Sequence, residues 1–233
     1  MDYSAYQEFA KEKLGVEFKN IELLVTAFTH RSYVNEHKKT VKEHNERLEF
    51  LGDAVLELVS TEYLYGNFSE PEGILTNWRS ALVRTESIGA AAARCGFESL
   101  LRLSRGEKRG TERAREQILA NSFEAVIGAL YLDQGYDVAK RFITDNLLVT
   151  FKDILETGSW MDPKSHLQEV VQSTDGFTPV YKVLAEVGPD HDKVFTVGVF
   201  VDGKLKGQGS GPSKQAGQQK AAEDALRVYS NAT

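Results

Sequence analysis

Apolar residues recur at three- and four-residue spacing from Tyr3 to about Leu155, the period of helices that turn one face to a core. Proline occurs in that stretch only at Pro71. Glycines fall mainly between the helical segments, at Gly15, Gly66, Gly73, Gly106 and Gly110. Gly128 is an exception: it sits inside a helical pattern and predicts a close helix–helix approach. The spacing therefore predicts an all-α domain over residues 1–155.

The period changes after that. Residues 156–161 read as a linker, followed by Asp162 as a helix N-cap with Pro163 at the first helical position. A short helix, Lys164 to Ser173, carries Leu167, Val170 and Val171 on one face. Pro179 to Val187 and Lys193 to Val201 are rich in Val, Phe and Tyr and read as strands. Asp202-Gly203 is a hairpin-turn signal that leads into a third strand at Lys204. Ser213 to Tyr229 returns to helix, with Ala221, Ala222, Ala225, Leu226 and Tyr229 inward. Residues 162–233 thus form a small α+β module of order α-β-β-β-α.

One helical segment breaks its own logic. From His44 to Ser60 the chain reads HNERLEFLGDAVLELVS, apolar nearly all round, yet it carries Glu46, Glu49, Asp53 and Glu57. These positions fall at i, i+3, i+7 and i+11, which is a single stripe. An ordinary solvated helix edge would account for an acidic stripe in general. Here the apolar arc is too wide for a surface helix, and stacked like charges repel. Arg47, the one cation of the segment, points elsewhere. A divalent cation in a cleft would supply the missing counter-charge.

A second segment points the same way. Ile118 to Leu132 contains one charged residue in fifteen, Glu124, and an ionised carboxylate in such surroundings needs a partner. Asn121 lies one turn earlier and can offer a carbonyl oxygen to the same point. Apart from His44, which precedes the stripe, histidine and cysteine are absent near both clusters in sequence, so the donors are chiefly hard oxygens, which suit Mg²⁺ or Mn²⁺ better than zinc.

Composition narrows the class. The chain has 233 residues, is 41% hydrophobic and carries a net charge of -6, so overall basicity gives no hint of nucleic-acid binding. In the α+β module acids and bases nearly balance, and any anion-binding footprint there must be local. Lys214, in GQGSGPSKQ, stands at the start of the last helix, where free amides and the helix dipole favour phosphate. GQGSG lacks the spacing of a nucleotide-binding loop. The lone Cys95 fits a reducing compartment, no apolar run is long enough to span a membrane, and the first residues do not read as a signal peptide. These features predict a soluble cytoplasmic protein.

Together the motifs carry a resemblance. NERLEFLGDAVL resembles the signature helix of the ribonuclease III family. FTHRSY from Phe28, EGILTNWRSALV from Glu72 and ILANSFEAVIGALYLD from Ile118 resemble that family's other blocks, in the same order. The C-terminal module resembles a double-stranded RNA-binding domain. The resemblance implies an all-α endonuclease domain at 1–155, a linker at 156–161 and the RNA-binding domain at 162–233.

It implies metal-binding carboxylates at Glu49 and Glu124, a catalytic aspartate at Asp53, a supporting acid at Glu46 and an acid near the site at Glu72. Asn121 departs from the family's pattern, which has aspartate at that point. The implied reaction is Mg²⁺-dependent hydrolysis of both strands of duplex RNA, leaving 5′-phosphate and 3′-hydroxyl ends with a short stagger. Ribosomal RNA precursors and messenger RNAs are the substrates expected of the family. A protein that binds duplex RNA without cutting it is the rival, on the strength of Asn121.

The resemblance further implies a homodimer in which Phe50, followed by Leu51, plugs into the partner; without it both would read as core. Gln168 and Glu169 would meet one minor groove, Pro189 to His191 a second, and Lys214 the phosphates between. Gln215 departs where the family often has a second lysine. Two further signals are plainer. His30 reads as a structural hydrogen-bonder, and Lys108, Arg109, Arg113 and Arg115 as a basic run that is either solvated or in contact with RNA backbone.

Overall fold

The computed structural model describes residues 3–189 and 193–230. Nine α-helices are described up to Glu156: α1 (Ser4–Glu12), α2 (Ile21–Ala27), α3 (Arg31–Glu36), α4 (Glu46–Asn67), α5 (Glu72–Leu82), α6 (Thr85–Arg94), α7 (Glu112–Gln134), α8 (Tyr136–Asn146) and α9 (Phe151–Glu156). Beyond them lie α10 (Pro163–Thr174), β1 (Val180–Val187), β2 (Val194–Val201), β3 (Lys204–Gly211) and α11 (Lys214–Ser230). The chain divides into two compact units between Glu156 and Thr157.

The first unit is built around α7. Its residues Ile118, Phe123, Val126, Ile127 and Leu130 are all buried, as are Ala125, Gly128 and Ala129, and a helix apolar on every side belongs in a core. Thr111 caps it, its hydroxyl accepting from the Ala114 amide. The longest partner of α7 is α4, and the two helices cross where neither has a side chain. A Cβ on Gly52 would overlap the carbonyl oxygen of Glu124, and one on Gly128 the carbonyl oxygen of Leu48. Gly128 thus meets the sequence expectation, and its counterpart Gly52 is added to it. Backbone-to-backbone contact of this kind fixes the register of the two helices within a fraction of a turn.

Other contacts hold the start of α4. Asn45, buried, donates its amide to the Thr29 carbonyl at 2.9 Å, and its own carbonyl accepts from the Glu49 amide. Phe28 and Thr29 in turn pair with the segment around Arg102. His30 accepts at Nδ1 from the Ser32 amide and so caps α3, the structural part expected of it. Phe9, Phe28, Phe97 and Phe123 stack edge-on or tilted behind this region. A second aromatic cluster, Phe68, Trp78 and Phe151, packs α5 and α9 together.

The second unit is a three-stranded antiparallel sheet, order β1-β2-β3, with α10 and α11 over one face. Its core joins Leu167 and Val171 of α10, Val199 and Val201 of β2, and Ala221, Ala222 and Ala225 of α11. The small residues of α11 let it lie close on β3, where Gly207 and Gly209 leave no room for a Cβ. Asp162 caps α10 through the Ser165 amide, with Pro163 in the first turn.

Two elements differ locally from the sequence reading, and the β1–β2 ladder carries a bulge. Proline has no amide to give to a ladder, so β1 opens at Val180 rather than Pro179. A bulge between Val183 and Ala185 shifts the β1–β2 register. The segment read as a linker is also folded onto the second unit: Gly158, buried at φ +64°, lies against the imidazole of His166, close enough that a Cβ would stand 2.6 Å from it.

Candidate active site and RNA-binding surface

The Gly52–Gly128 crossing brings three carboxylates together. Glu49 and Asp53 flank Gly52 on α4, and Glu124 lies one turn before Gly128 on α7. Glu124 is only partly exposed, and its carboxyl is pushed up to about 8, first by burial and then by the nearby charges of Asp53 and Glu49. Glu49 is raised by burial, by Glu46 and by Asp53. Asp53 is raised by burial and by Glu57. Every shift runs in the same direction because burial disfavours each charged form and each acid also feels other acids.

The remaining predicted residues divide. Asn121 stands on the same helix, and its Oδ1 accepts a 2.7 Å hydrogen bond from Gln117 Nε2. Glu46 is exposed and reaches the Arg31 guanidinium of α3 at 3.5 Å and His44 at 3.8 Å, so one end of the acidic stripe has counter-charge. Sequence alone did not connect Arg31 with it. Glu72 begins α5 and lines a separate hollow of about 460 Å³ with Thr61, Tyr65, Leu75 and Thr76. It is not among the charges acting on Glu49, Asp53 or Glu124.

Whether these donors suit a hard divalent cation can be read from their chemistry. Among the described residues no group of three or more acidic, histidine or cysteine side chains stands ready to hold a metal ion. Asp53 and Glu49 are near enough to Glu124 to act on its charge, and with Asn121 they offer oxygen donors only. That fits a metal whose remaining positions are left to water or substrate.

Beside the acids, α4 shows an apolar stripe. Phe50 is 81% exposed and Tyr65 82%, with Ala54 and Leu58 also exposed between them, while Leu51 is half-buried. At ~100° per residue, Phe50, Ala54, Leu58 and Tyr65 fall within about 80° of one another. The alternative that Phe50 is ordinary core does not hold in the single chain.

In the second unit Gln168 and Glu169 are exposed on α10 and line an open hollow of about 560 Å³ with Ser165, Gln172 and Ser173. Pro189 is exposed; His191 lies outside the described residues. Lys214 opens α11, whose first turn is capped by Ser213 through the Ala216 amide. Its ammonium sits 3.2 Å from Glu186 Oε1 and 5.5 Å from the centre of the Phe195 ring. Neither Glu186 nor Phe195 was singled out by the sequence pattern, because both read as ordinary strand residues.

An acidic crossing of two core helices, followed by an α-β-β-β-α module with a lysine at the head of its last helix, defines a nuclease joined to an RNA-binding domain. The comparisons agree. Residues 20–151 match the Ribonuclease-III-like family and residues 163–229 the double-stranded RNA binding motif. The curated Ribonuclease 3 of Enterococcus faecalis is 46% identical over 221 residues, covering 93% of this chain and 94% of the relative. That of Streptococcus gordonii is 45% identical over 219 residues, covering 92% and 93%. The nuclease domain of ribonuclease III from Campylobacter jejuni superposes with a TM-score of 0.53 at 39% identity, covering 60% of this chain and 96% of that one.

The chain belongs to the ribonuclease III family. It is an endoribonuclease of double-stranded RNA, with a nuclease unit and a duplex-binding unit. Among the described residues no helix is long and apolar enough to cross a membrane.

Proposed function

We propose that Glu49, Asp53 and Glu124, with the amide oxygen of Asn121, hold a divalent metal, Mg²⁺ or in its place Mn²⁺, against the scissile phosphodiester. The observation that carries this reading is the Gly52–Gly128 crossing, which sets Glu124 near enough to Asp53 and Glu49 that their charges add to burial in raising its carboxyl to about 8. When bound, the metal supplies Lewis acidity toward water and toward the phosphate oxygens. The protein's own part is to fix the donors. The glycine crossing holds the α4 and α7 carboxylates in register, burial keeps Glu124 poorly solvated, and Arg31 balances Glu46. Asp53, the most exposed of the three, is the group placed to meet substrate. Cleavage leaves a 5′-phosphate and a 3′-hydroxyl.

The working form in this reading is a homodimer. One site serves one strand, so two sites are needed to cut both strands with a stagger. Support comes from the exposed Phe50, Ala54, Leu58 and Tyr65 stripe, apolar surface of the kind that marks an interface, with Leu51 beneath it. A helix face carrying both a knob at Phe50 and a hollow beside Tyr65 suits a two-fold contact, in which one patch meets its own copy.

Gln168, Glu169, Pro189, His191 and Lys214 form the duplex-contacting surface in this reading, and Glu46 and Glu72 support the site. The lone Cys95 suits the cytoplasm, and ribosomal and messenger RNA precursors are the substrates proposed. A non-cutting binder rests on Asn121 alone and is not favoured by the family assignment.

Incubating the full chain with a long duplex RNA tests the reading. With Mg²⁺ the duplex is cut to short products bearing 5′-phosphates, and with EDTA it stays whole. Equal cleavage in both overturns the metal assignment.

A further inference from the structure

Lys214 does not stand free at the head of α11. It is held in a cradle made by two adjacent strands. Glu186 of β1 and Phe195 of β2 are register partners, so their side chains start from neighbouring points of the sheet. The carboxylate reaches the ammonium at 3.2 Å from one side, and the ring lies 5.5 Å from it on another. The same carboxylate also draws Lys193, at 3.9 Å through its other oxygen. One acid thus faces two lysines at the end of the sheet where α11 begins.

A carboxylate and an RNA phosphate ask for the same thing from an ammonium. Both are oxygen anions that accept its charge-assisted hydrogen bonds. A phosphate arriving at Lys214 therefore meets a lysine already partnered, with a negative charge a few ångströms away. The pair is half-exposed and so weak enough to open, but its charge remains whether it opens or not. The aromatic ring favours the lysine's position without adding any charge that repels phosphate.

We propose that Glu186 is a charge latch on Lys214: it holds the ammonium in place over Phe195 and sets duplex affinity below what the module's lysines alone would give. This rests on the reading of Lys214 as a phosphate contact. An affinity so restrained favours long duplexes, which offer phosphates to the whole surface at once, over isolated phosphates met by one lysine.

The test measures binding of a fluorescent duplex RNA by the full chain, in EDTA so that no strand is cut. Four proteins are compared: wild type, Glu186→Gln, Lys214→Ala and the double variant. Glu186→Gln is expected to tighten binding roughly two- to fivefold, the size of an exposed ion pair. The slope of log affinity against log salt should steepen by up to about one, as one more lysine is released to pair with RNA. In the Lys214→Ala background the same substitution should tighten binding by clearly less than in wild type, leaving only what the release of Lys193 contributes.

If Lys214→Ala weakens binding but Glu186→Gln leaves it unchanged or weaker, the latch is wrong and the phosphate contact stands. If Glu186→Gln tightens binding equally in both backgrounds, it does not act through Lys214, and the latch is again overturned. If Lys214→Ala binds like wild type, the reading beneath the latch fails.

Discussion

The acids of the nuclease unit and the lysine of the small unit face the same electrostatic problem and meet it in opposite ways. At the α4–α7 crossing, burial raises the proton affinity of Glu49, Asp53 and Glu124, and neighbouring acids raise it further. Arg31 serves only Glu46, at the far end of the stripe. At the head of α11, Lys214 has a carboxylate and a ring beside it. On the proposed reading, the site that takes a cation leaves its own charge unbalanced. The surface proposed to hold and release a polyanion balances part of its charge from within. The difference lies in where the counter-charge comes from: solution for the first, the protein itself for the second.

The largest test of that contrast is a pair of substitutions that separate cutting from binding. Asp53→Asn and Glu124→Gln should each lower single-turnover cleavage by at least about 10²–10³-fold, the scale of losing one group that stabilises developing charge, with duplex affinity unchanged. Lys214→Ala should do the reverse, weakening affinity while cleavage at saturating enzyme stays near wild type. Gel-based cleavage and anisotropy on one duplex measure both. If the acid variants cut normally, or if both classes lose the same property, the division between the units is wrong.

Phe50→Ala comes next. Truncating an aromatic anchor at an interface costs about 2–4 kcal/mol, and a two-fold contact counts it twice, so sedimentation should show monomer at micromolar concentration. An unchanged dimer would return Phe50 to the solvent-exposed surface.

A smaller effect follows from Glu124. Its folded pKa of about 8 stands above the ordinary 4.5, so between those values the folded chain holds a proton that the unfolded chain has lost. Metal-free stability therefore falls as pH rises through that window, by about 1–2 kcal/mol once solvent screening is allowed for. Denaturant melts from pH 5 to 8.5 should show this slope in wild type and its loss in Glu124→Gln. A slope that persists in the variant would assign it elsewhere.

The smallest effect is that of Asn121→Asp. Restoring one charge should lower the Mg²⁺ needed for half-maximal cleavage by about tenfold, equivalent to ~1.4 kcal/mol, with little change in maximal rate. Identical Mg²⁺ curves would remove Asn121 from the metal's neighbourhood.

How much of this was legible in the sequence depends on the range of the interaction. Helix period, the Asp202-Gly203 turn and the Asp162 cap are local, and the pattern shows them directly. The acid stripe was visible because it contradicts the apolar face around it. What the pattern could not show was pairing across the chain. Gly52 is one small residue in a long helix until Gly128 is placed against it, and Arg31 is fifteen residues from Glu46. Glu186 and Lys214 are twenty-eight residues apart and meet only because the sheet and α11 bring them together. The exposure of Phe50 was likewise hidden, since an apolar residue in an apolar helix reads as core until the packing is known.

The central claim is that Glu124, Asp53 and Glu49 share one cation, and Mn²⁺ binding to the RNA-free full chain tests it most directly. Paramagnetic resonance would count free Mn²⁺ against added protein at pH 6 and pH 8.5, for wild type and for Glu124→Gln. The metal must displace the Glu124 proton, so wild-type affinity should rise with pH toward and through about 8. In the variant it should be at least about tenfold weaker at pH 8.5 and less dependent on pH. Equal affinity and equal pH dependence in the two proteins would contradict the account.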